Sequence, residues 1–378
     1  MGEVDAEHLA KQLFKRYYRS ASLDPPSGLE KREFGFVFFQ SKGMVRHVGF
    51  PNGDEMRKYI VSRIPRHAYY SSAYYSNPSA EKMDEKGWLG ADLIFDIDVD
   101  HIYTPCKELH DYWVCRECGA EGWGFVLKCP RCGSERITRQ TWVCDTCIAV
   151  SRDETLKLVE FLEEDFGISD DEMYATFSGH RGFHLHIENE VFREVGQEVR
   201  REISDYVRGV GLAPELFLVK KGRRYVLKYG VEAPGWGGRI ARYVLYKYAD
   251  QIGEGDVTSI KLTLPGWKSV FQEAVSEEHC EIDEKVTIDL KRLIRLPNSL
   301  HGKTGLRVLK LSVNDLDRVD VLRKAVVVRN GEAIVKMRKP PRRVLWYTLD
   351  PSKDRFRVPL HLALYLALNG GAAIERVL

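Results

Sequence analysis

The sequence contains no uninterrupted apolar run long enough to cross a bilayer, for which about 20 residues are needed. Its N-terminal segment, MGEVDAEHLAKQLFKRYY, is charged and amphipathic and lacks the apolar centre of a signal peptide. No internal repeat or low-complexity tract is present. We therefore expect a globular, cytoplasmic protein with no membrane attachment.

The chain also lacks an excess of charge of either sign. Its 378 residues include 57 basic and 55 acidic side chains, which gives a formal net charge of +2. Bulk charge therefore neither indicates nor excludes nucleic-acid binding, and any polyanion-binding surface must arise from local segregation of charge. With 44% hydrophobic residues, the chain is long enough to bury one large core or two modest ones.

The residue patterns predict an α+β fold that contains one small inserted module. Periodicity predicts helices and strands in the first hundred residues, at 5–20, 54–63, 35–39 and 90–100. A capping-box pattern predicts that the next long helix starts at Ser151, with Glu154 three residues later. Residues 173–189 predict a β-hairpin, and LHLALYLALNGG predicts a last helix that is ended by glycines.

Alternating carboxylates end one predicted strand. In LIFDIDVD, Asp96 and Asp98 are two residues apart and point to the same face. Neighbouring carboxylates repel unless cations neutralise them, and Mg²⁺ or Mn²⁺ held together with substrate phosphates is the usual solution. Asp92 and Asp100 share this parity, but the first precedes the apolar run and the second begins the following loop. The middle pair therefore predicts metal-dependent phosphate chemistry.

A metal site of this kind needs a third carboxylate. The segment EIDEKVTIDL offers Asp283 and Asp289, and the spacing does not choose between them. The alternative to a catalytic role is a solvated, acidic strand end, since alternating aspartates are common.

Two basic segments supply side chains that bind phosphate. In the hairpin turn SGHRGFH, glycines let the backbone approach a ligand, and the candidates are Ser178, His180, Arg181 and His184. In the loop RLPNSLHGKTG, the candidates are Arg295, His301 and Lys303. Arg presents a fork of donors to phosphate, and Ser and His add single contacts. Beside a carboxylate strand, the two segments predict a triphosphate site.

Seven of the eight cysteines and one histidine are concentrated in a single segment. CxxC pairs are strong predictors of zinc, and these eight ligands suffice for two tetrahedral structural sites. The favoured arrangement is nested, with an inner ribbon and an outer set: Cys115, Cys118, Cys129 and Cys132 inside, and Cys106, His110, Cys144 and Cys147 outside. The alternative pairs the first four ligands and the last four in sequence. Cys280 stands alone and is expected in the core.

Five blocks of sequence, in order along the chain, resemble the small catalytic subunit of archaeal and eukaryotic DNA primases. They are REFGF (32–36), YYSSAYY (69–75), GWLGADLIFDID (87–98), SGHRGFH (178–184) and DLKRLIRLPNSLHGKTG (289–305). The resemblance implies the primase fold, a mixed α/β catalytic core beside a zinc knuckle. It also implies a heterodimer with a large subunit, a single-stranded DNA template and nucleoside triphosphates as substrates.

The resemblance also implies a division of the chain. We expect a catalytic core at 1–100, 150–190 and 281–345, a zinc-binding module at 101–149, a largely helical insertion at 191–280 and a C-terminal tail at 346–378. The inner ribbon departs from shorter archaeal forms, so its role is not implied.

Site residues follow from the resemblance one by one. Asp96 and Asp98 match the first two metal ligands, and Asp283 rather than Asp289 matches the third. The serine, histidines, arginines and lysine of the two basic segments match the contacts to nucleotide phosphates, although His180 stands where the family often has arginine. The outer zinc set matches the family's knuckle.

Primer synthesis by two-metal nucleotidyl transfer is therefore the expected function. A polymerase of the same superfamily, acting in end joining or gap filling, would share these motifs. A non-catalytic zinc-ribbon protein that binds nucleic acid is the alternative from a different class.

Overall fold

Two antiparallel four-stranded sheets form the centre of the structure, a computed structural model that describes residues 4–100, 102–252 and 256–378. The strands are Phe34–Phe38 (β1), Met44–Val48 (β2), Pro65–Ser71 (β3), Ala73–Tyr75 (β4), Trp88–Ala91 (β5), Leu93–Asp98 (β6), Tyr112–Cys115 (β7), Glu121–Trp123 (β8), Ile137–Gln140 (β9), Met173–Phe177 (β10), Gly182–Ile187 (β11), Leu218–Lys221 (β12), Arg224–Leu227 (β13), Leu293–Arg295 (β14), Leu309–Ser312 (β15), Glu332–Met337 (β16), Arg343–Val344 (β17), Tyr347–Thr348 (β18), Arg355–Pro359 (β19) and Ala372–Val377 (β20). The α-helices are Ala6–Ser20 (α1), Gly53–Arg63 (α2), Lys107–His110 (α3), Asp145–Phe166 (α4), Glu190–Arg193 (α5), Gln197–Val207 (α6), Gly235–Lys247 (α7), Ala249–Ile252 (α8), Leu264–Glu278 (α9), Glu284–Ile288 (α10), Val321–Ala325 (α11) and Leu360–Leu368 (α12).

The two central sheets have the strand orders β14-β3-β1-β2 and β15-β10-β11-β6. Each sheet therefore combines strands that lie far apart in the sequence. The strand nearest the C-terminus is β14 in the first sheet and β15 in the second. The hairpin predicted at 173–189 is confirmed as β10 and β11, which pair from Met173 with Ile187 to Phe177 with Phe183. This mixture of helices and antiparallel sheets agrees with the predicted α+β class.

The strand predicted at 90–100 is divided at Asp92 into β5 and β6. This residue forms a buried ion pair, in which Arg32 Nη2 donates to Asp92 Oδ2 over 2.6 Å. Arg32 also donates to the carbonyl oxygens of Ser71 (2.9 Å) and Ser72 (2.7 Å), at the end of β3. One guanidinium thus joins the start of β6 to the other central sheet.

The insertion supports the same junction from another direction. Arg200, a buried residue of α6, donates to the carbonyl oxygens of Ala91 (2.6 Å) and Asp92 (2.9 Å). The described part of 191–280 contains five α-helices, α5 to α9, and the small hairpin of β12 and β13. Besides supporting this junction, the insertion leads directly into α10 and β14.

The predicted start of the helix after the cysteine-rich segment is wrong. Helix α4 begins at Asp145 with Cys144 as its N-cap, and Ser151 lies buried inside it. The Ser151 hydroxyl donates to the Ile148 carbonyl over 3.2 Å, and Glu154 accepts instead from the Glu281 amide over 3.1 Å. The earlier start places Cys144 at the N-cap and Cys147 in the first turn, which the capping pattern does not reveal.

The last part of the chain packs onto the rest. The predicted helix is confirmed as α12, and the chain leaves it at Gly370 with a left-handed φ of 79°. A third sheet has the order β19-β16-β20, so strands on both sides of residue 345 share one sheet. Within the described ranges, no helix has both the length and the apolar character needed to cross a membrane.

Replacing Arg32 by Met should strongly destabilise the fold, because the Asp92 carboxylate would stay buried without its partner. Breaking a buried ion pair in this way costs about 3–5 kcal/mol. Urea unfolding should therefore show a much lower midpoint. Lys58→Ala, which breaks an exposed pair with Glu55, is the matched control and should change the midpoint little. Equal midpoints for the two variants would contradict the structural role of Arg32.

Candidate active site

A cavity of about 200 Å³ lies between the two central sheets. Its lining includes seven of the predicted site residues, namely Asp96, Asp98, Ser178, His180, His184, Arg295 and His301. Tyr69 and Arg292 also line it. Carboxylates therefore face one side of the cavity, while imidazoles, guanidinium groups and a hydroxyl surround the rest.

Strand β6 presents its two aspartates as the alternation predicts. Asp96 lies opposite His184 of β11, and Asp98 lies opposite Gly182. The His184 Nε2 and Asp96 Oδ1 atoms are 3.6 Å apart. A Cβ atom at Gly182 would lie 2.0 Å from the Ile97 carbonyl oxygen, so only glycine permits this approach of the two strands.

The structure places Asp283 beside Asp96, at the start of α10, and Asp289 at the opposite end of that helix. The Asp283 amide donates to the Asp96 carbonyl oxygen over 2.9 Å, which pins the start of α10 to the middle of β6. The Asp283 carboxylate caps that helix through the Lys285 amide at 3.0 Å. Asp289 lies at the other end of α10, where its side chain accepts from the Lys291 amide.

Burial and the neighbouring negative charges both disfavour the ionised form of Asp96. Burial, and then the neighbouring charges of Asp98 and Asp283, raise the pKa of Asp96 to about 7. A divalent cation would relieve both effects, and clustered carboxylate oxygens are the ligands that Mg²⁺ and Mn²⁺ prefer. The donor set therefore fits such a metal. Asp92 and Asp100 are occupied elsewhere, by Arg32 and Arg181.

The loop after β14 is fixed by a histidine that the sequence patterns do not single out. His67 Nδ1 accepts from Arg295 Nη1 (2.9 Å) and from the Gly302 amide (3.2 Å), so its proton resides on Nε2. Burial, followed by Arg295 and other nearby cations, lowers the pKa of His67 to about 3. His67 therefore stays a neutral acceptor that orients Arg295 toward the cavity.

The hairpin turn and the second basic loop are packed together. The His180 and His301 rings stack with centroids 4.7 Å apart, and the Thr304 hydroxyl donates to the Gly179 carbonyl over 2.6 Å. Burial lowers the pKa of both histidines, and nearby cations lower it further. Lys303 is exposed beside this stack and does not line the cavity.

His184 is also held in its neutral form. Burial, with smaller effects from Arg295 and Arg292, lowers its pKa to about 3. The cavity thus holds neutral imidazoles near the fixed charge of Arg295. Such a site can donate hydrogen bonds to an anion and gain further attraction if the anion raises the imidazole pKa values.

Arg181 is not brought to the cavity with the other predicted phosphate contacts. Its guanidinium donates to the Thr141 hydroxyl over 2.6 Å and forms an ion pair with Asp100. The Arg181 side chain points away from the cavity. It links the hairpin to Asp100 and Thr141, which lie on the two sides of the inner ribbon in the sequence. The neighbouring basic residues His180 and Arg181 in the turn do not reveal that their side chains point in different directions.

Sequence reasoning missed Tyr69 and Arg292, which line the cavity, and His67, which accepts a hydrogen bond from Arg295. Strand parity could have drawn attention to positions 67 and 69, which share a face of β3, because Tyr69 pairs with Arg295 of β14. Arg292 lies one residue before β14 and has no comparable pattern. Its guanidinium lowers the pKa of Asp96 and so lies within electrostatic reach of the carboxylates.

The outer cysteine set converges on one point. Cys106, His110, Cys144 and Cys147 are buried, with their ligand atoms all within 4.8 Å of one another. The Cys106 and Cys147 sulfurs are 3.4 Å apart, far beyond a disulfide length of about 2.05 Å. His110 presents Nε2 to Cys147 and directs Nδ1 to Asp111 Oδ1 over 2.8 Å, an outer contact typical of zinc-bound histidine.

The inner set forms the ribbon. The Sγ atoms of Cys115 and Cys132, and those of Cys118 and Cys129, are each 3.6 Å apart. Tetrahedral zinc with bonds of 2.3 Å would place sulfurs about 3.8 Å apart. The structure therefore groups the eight ligands as the nested arrangement predicts and not in sequence, and each group could hold a zinc ion.

Comparison with known proteins identifies relatives over nearly the whole chain. The sequence profile of a family described as DNA primase small subunit matches residues 138–313. Two archaeal proteins named DNA primase small subunit PriS are similar to this chain. The protein from Methanothrix thermoacetophila is 33% identical and that from Pyrobaculum calidifontis is 35% identical, and each alignment covers 96% of this chain and 97% of the relative. The protein of that name from Thermoplasma volcanium is 33% identical over 98% of this chain and 99% of its own.

Zinc analysis of the purified protein should give two ions per chain, and Cys129→Ser should reduce this to one. In that variant, Cys115, Cys118 and Cys132 should become reactive toward an alkylating reagent, because they share the lost site. Cys106, Cys144 and Cys147 should stay protected. Mass spectrometry of the labelled peptides reports both sets, with Cys280→Ala as the control that retains two ions. Labelling of the outer cysteines in Cys129→Ser would contradict the nested grouping.

Asp96→Asn should stabilise the metal-free protein at pH 8. The folded-state pKa of Asp96, about 7, lies above its unfolded value, so its ionisation disfavours folding increasingly as pH rises from about 4 through 7. Removing the charge should contribute on the order of 2–4 kcal/mol at pH 8 and less at pH 5.5. Mn²⁺ should raise the Tm of the unmodified chain and of Asp289→Asn, but much less that of Asp96→Asn. A lower Tm for Asp96→Asn at pH 8 would refute this account.

Proposed function

The chain belongs to the DNA primase small-subunit family, and from this membership we propose that it builds short primers on single-stranded DNA by two-metal nucleotidyl transfer. The family assignment makes it the catalytic subunit of a primase, an enzyme that polymerises nucleotides on a DNA template. The proposal adds the mechanism and the residues. It is supported above all by Asp96 and Asp98, which line the cavity, and by Asp283, whose amide is hydrogen-bonded to the Asp96 carbonyl oxygen.

The three carboxylates would hold the divalent cations. When bound, such ions lower the pKa of the attacking 3′-hydroxyl and neutralise charge that develops on the leaving pyrophosphate. The contribution of the protein is to position the oxygen ligands before substrate arrives. The hydrogen bond from the Asp283 amide to the Asp96 carbonyl oxygen holds Asp283, at the start of α10, beside the strand that carries Asp96 and Asp98.

The basic side of the cavity would bind the triphosphate. Arg295, oriented by His67, can offer a fixed guanidinium, and Ser178 and His184 can add single hydrogen bonds. His180 and His301, stacked on each other, offer further donors at the same wall. Most of the rate enhancement then comes from orientation and charge compensation, as in other phosphoryl transfers.

The proposed substrates are nucleoside triphosphates and a single-stranded DNA template. The family description as a small subunit implies a larger partner, and we propose that the two chains act as a heterodimer. The two Cys/His groups would carry structural zinc, because four protein ligands leave no position for water. The catalytic metal is proposed to be Mg²⁺ or Mn²⁺.

Primer synthesis from labelled triphosphates on an unprimed single-stranded template tests the proposal. Asp96→Ala and Asp283→Ala should each reduce synthesis by about 10²–10³-fold or more, since electrostatic stabilisation of the transition state is lost. Asp289→Asn is the matched control and should remain active. Activity of Asp283→Ala with loss in Asp289→Asn would reverse the assignment of the third carboxylate.

The same assay separates the alternative functions. Products that appear only when a primer is supplied would indicate a repair polymerase of this superfamily. No nucleotide incorporation on either template, with the DNA still bound, would indicate a binding protein.

A further inference from the structure

The hairpin of β12 and β13 carries a concentration of positive charge that the overall composition conceals. Residues 218–228, LVKKGRRYVLK, contain five basic side chains and no acidic one, whereas the whole chain has a net charge of only +2. The rest of the molecule is therefore net negative. The five are Lys220, Lys221, Arg223, Arg224 and Lys228, and all are exposed.

Among the residues that the structure describes, these cations form no ion pair. Among the described residues, no carboxylate lies within 4.0 Å of any of the five basic groups. Hydrogen bonds from Thr258 are the main reason why the pKa of Asp256 is lowered, and the charge of Lys221 is a smaller cause. Asp256 directs its carboxylate to the Thr258 amide and hydroxyl.

The hairpin also holds two like charges against each other. Lys221 and Arg224 are directly opposite across the strands, a pairing that destabilises an isolated hairpin. Gly222, with a left-handed φ of 65°, makes the two-residue turn that forces them together. A polyanion at this tip would relieve the repulsion, whereas solvent alone does so incompletely.

The base of the hairpin is rigidly attached. Tyr225 exchanges backbone hydrogen bonds with Leu262 at 2.8 and 3.1 Å, and its carbonyl accepts from Trp267 Nε1 over 2.8 Å. Trp267 lies in the first turn of α9, and this helix ends a few residues before Asp283. From Trp267 to the end of α9 is about 17 Å at 1.5 Å per residue.

We propose that this hairpin is a binding site for the phosphate backbone of the template strand, separate from the catalytic cavity. The proposal rests on the function proposed above, since it assumes a DNA template. The Lys and Arg side chains at the tip would contact the strand through charge and without reading bases.

Replacing Lys220, Lys221, Arg223 and Arg224 by Gln tests this site. Fluorescence anisotropy with a labelled oligo-dT strand, in metal-free buffer from 50 to 200 mM KCl, measures affinity and its salt dependence. The variant should bind at least about tenfold more weakly at 50 mM salt. Its slope of log affinity against log salt should be shallower by up to about 3, since each lost single-strand phosphate contact contributes about 0.7.

The matched control exchanges the basic types, Lys220→Arg, Lys221→Arg, Arg223→Lys and Arg224→Lys, and should keep both affinity and slope. The Gln variant should also keep its Tm, because it loses a repulsive pair. Unchanged affinity and slope in the folded Gln variant would overturn the proposal.

The outcome is independent of the proposed catalysis. Asp96→Ala should bind the strand like the unmodified chain while losing primer synthesis. If the unmodified chain made no primers on any template, the proposed function would fail, and the binding data would still decide the hairpin site.

Discussion

Asp96 and Asp98 line a half-buried cavity with Asp283 attached beside them, and much of the surrounding structure acts to hold these repelling carboxylates in place. Asp96 and Asp98 cannot separate, because β6 is paired with β11 along its whole length. Asp283 cannot swing away, because its own amide is bonded to the Asp96 carbonyl. Further back, Arg32 and Arg200 fix the junction from which β6 starts. The carboxylates at the cavity therefore lower the folding stability, and the strand pairing and buried ion pairs around them compensate. This is usual where a site is preformed for its ligand.

Charge is organised differently in the three basic regions of the molecule. In the cavity, histidines are kept neutral by burial, and Arg295 is oriented by His67. At the hairpin turn, Arg181 is held by Asp100 and faces the zinc module. On the insertion, the cations of β12 and β13 are exposed and close together. A protein that is nearly neutral overall can therefore present regions with distinct anion-binding properties.

Sequence patterns predicted those features that depend on short spacing. Strand alternation placed Asp96 and Asp98 on one face. The cysteine spacing identified the candidate zinc ligands, and the structure then selected the nested grouping. The start of α4 was missed because Ser151 forms a good capping pattern while Cys144 does not, and the cysteine position is set by its partners in space. The direction of Arg181 and the role of His67 depend on contacts between distant segments. Periodicity carries no information about such contacts.

The position of β6 at the edge of its sheet has a consequence for how the chain assembles during synthesis. Its one neighbour in that sheet, β11, is translated more than 80 residues later, after the whole cysteine-rich module and α4. During synthesis, the largely apolar segment of β6 therefore has no partner strand from its sheet until the intervening residues have left the ribosome. Closing so long a loop is entropically unfavourable, and compact folding of the intervening segment shortens the effective distance. Any condition that delays the folding of that segment would therefore prolong the exposure of the aspartate strand and favour aggregation.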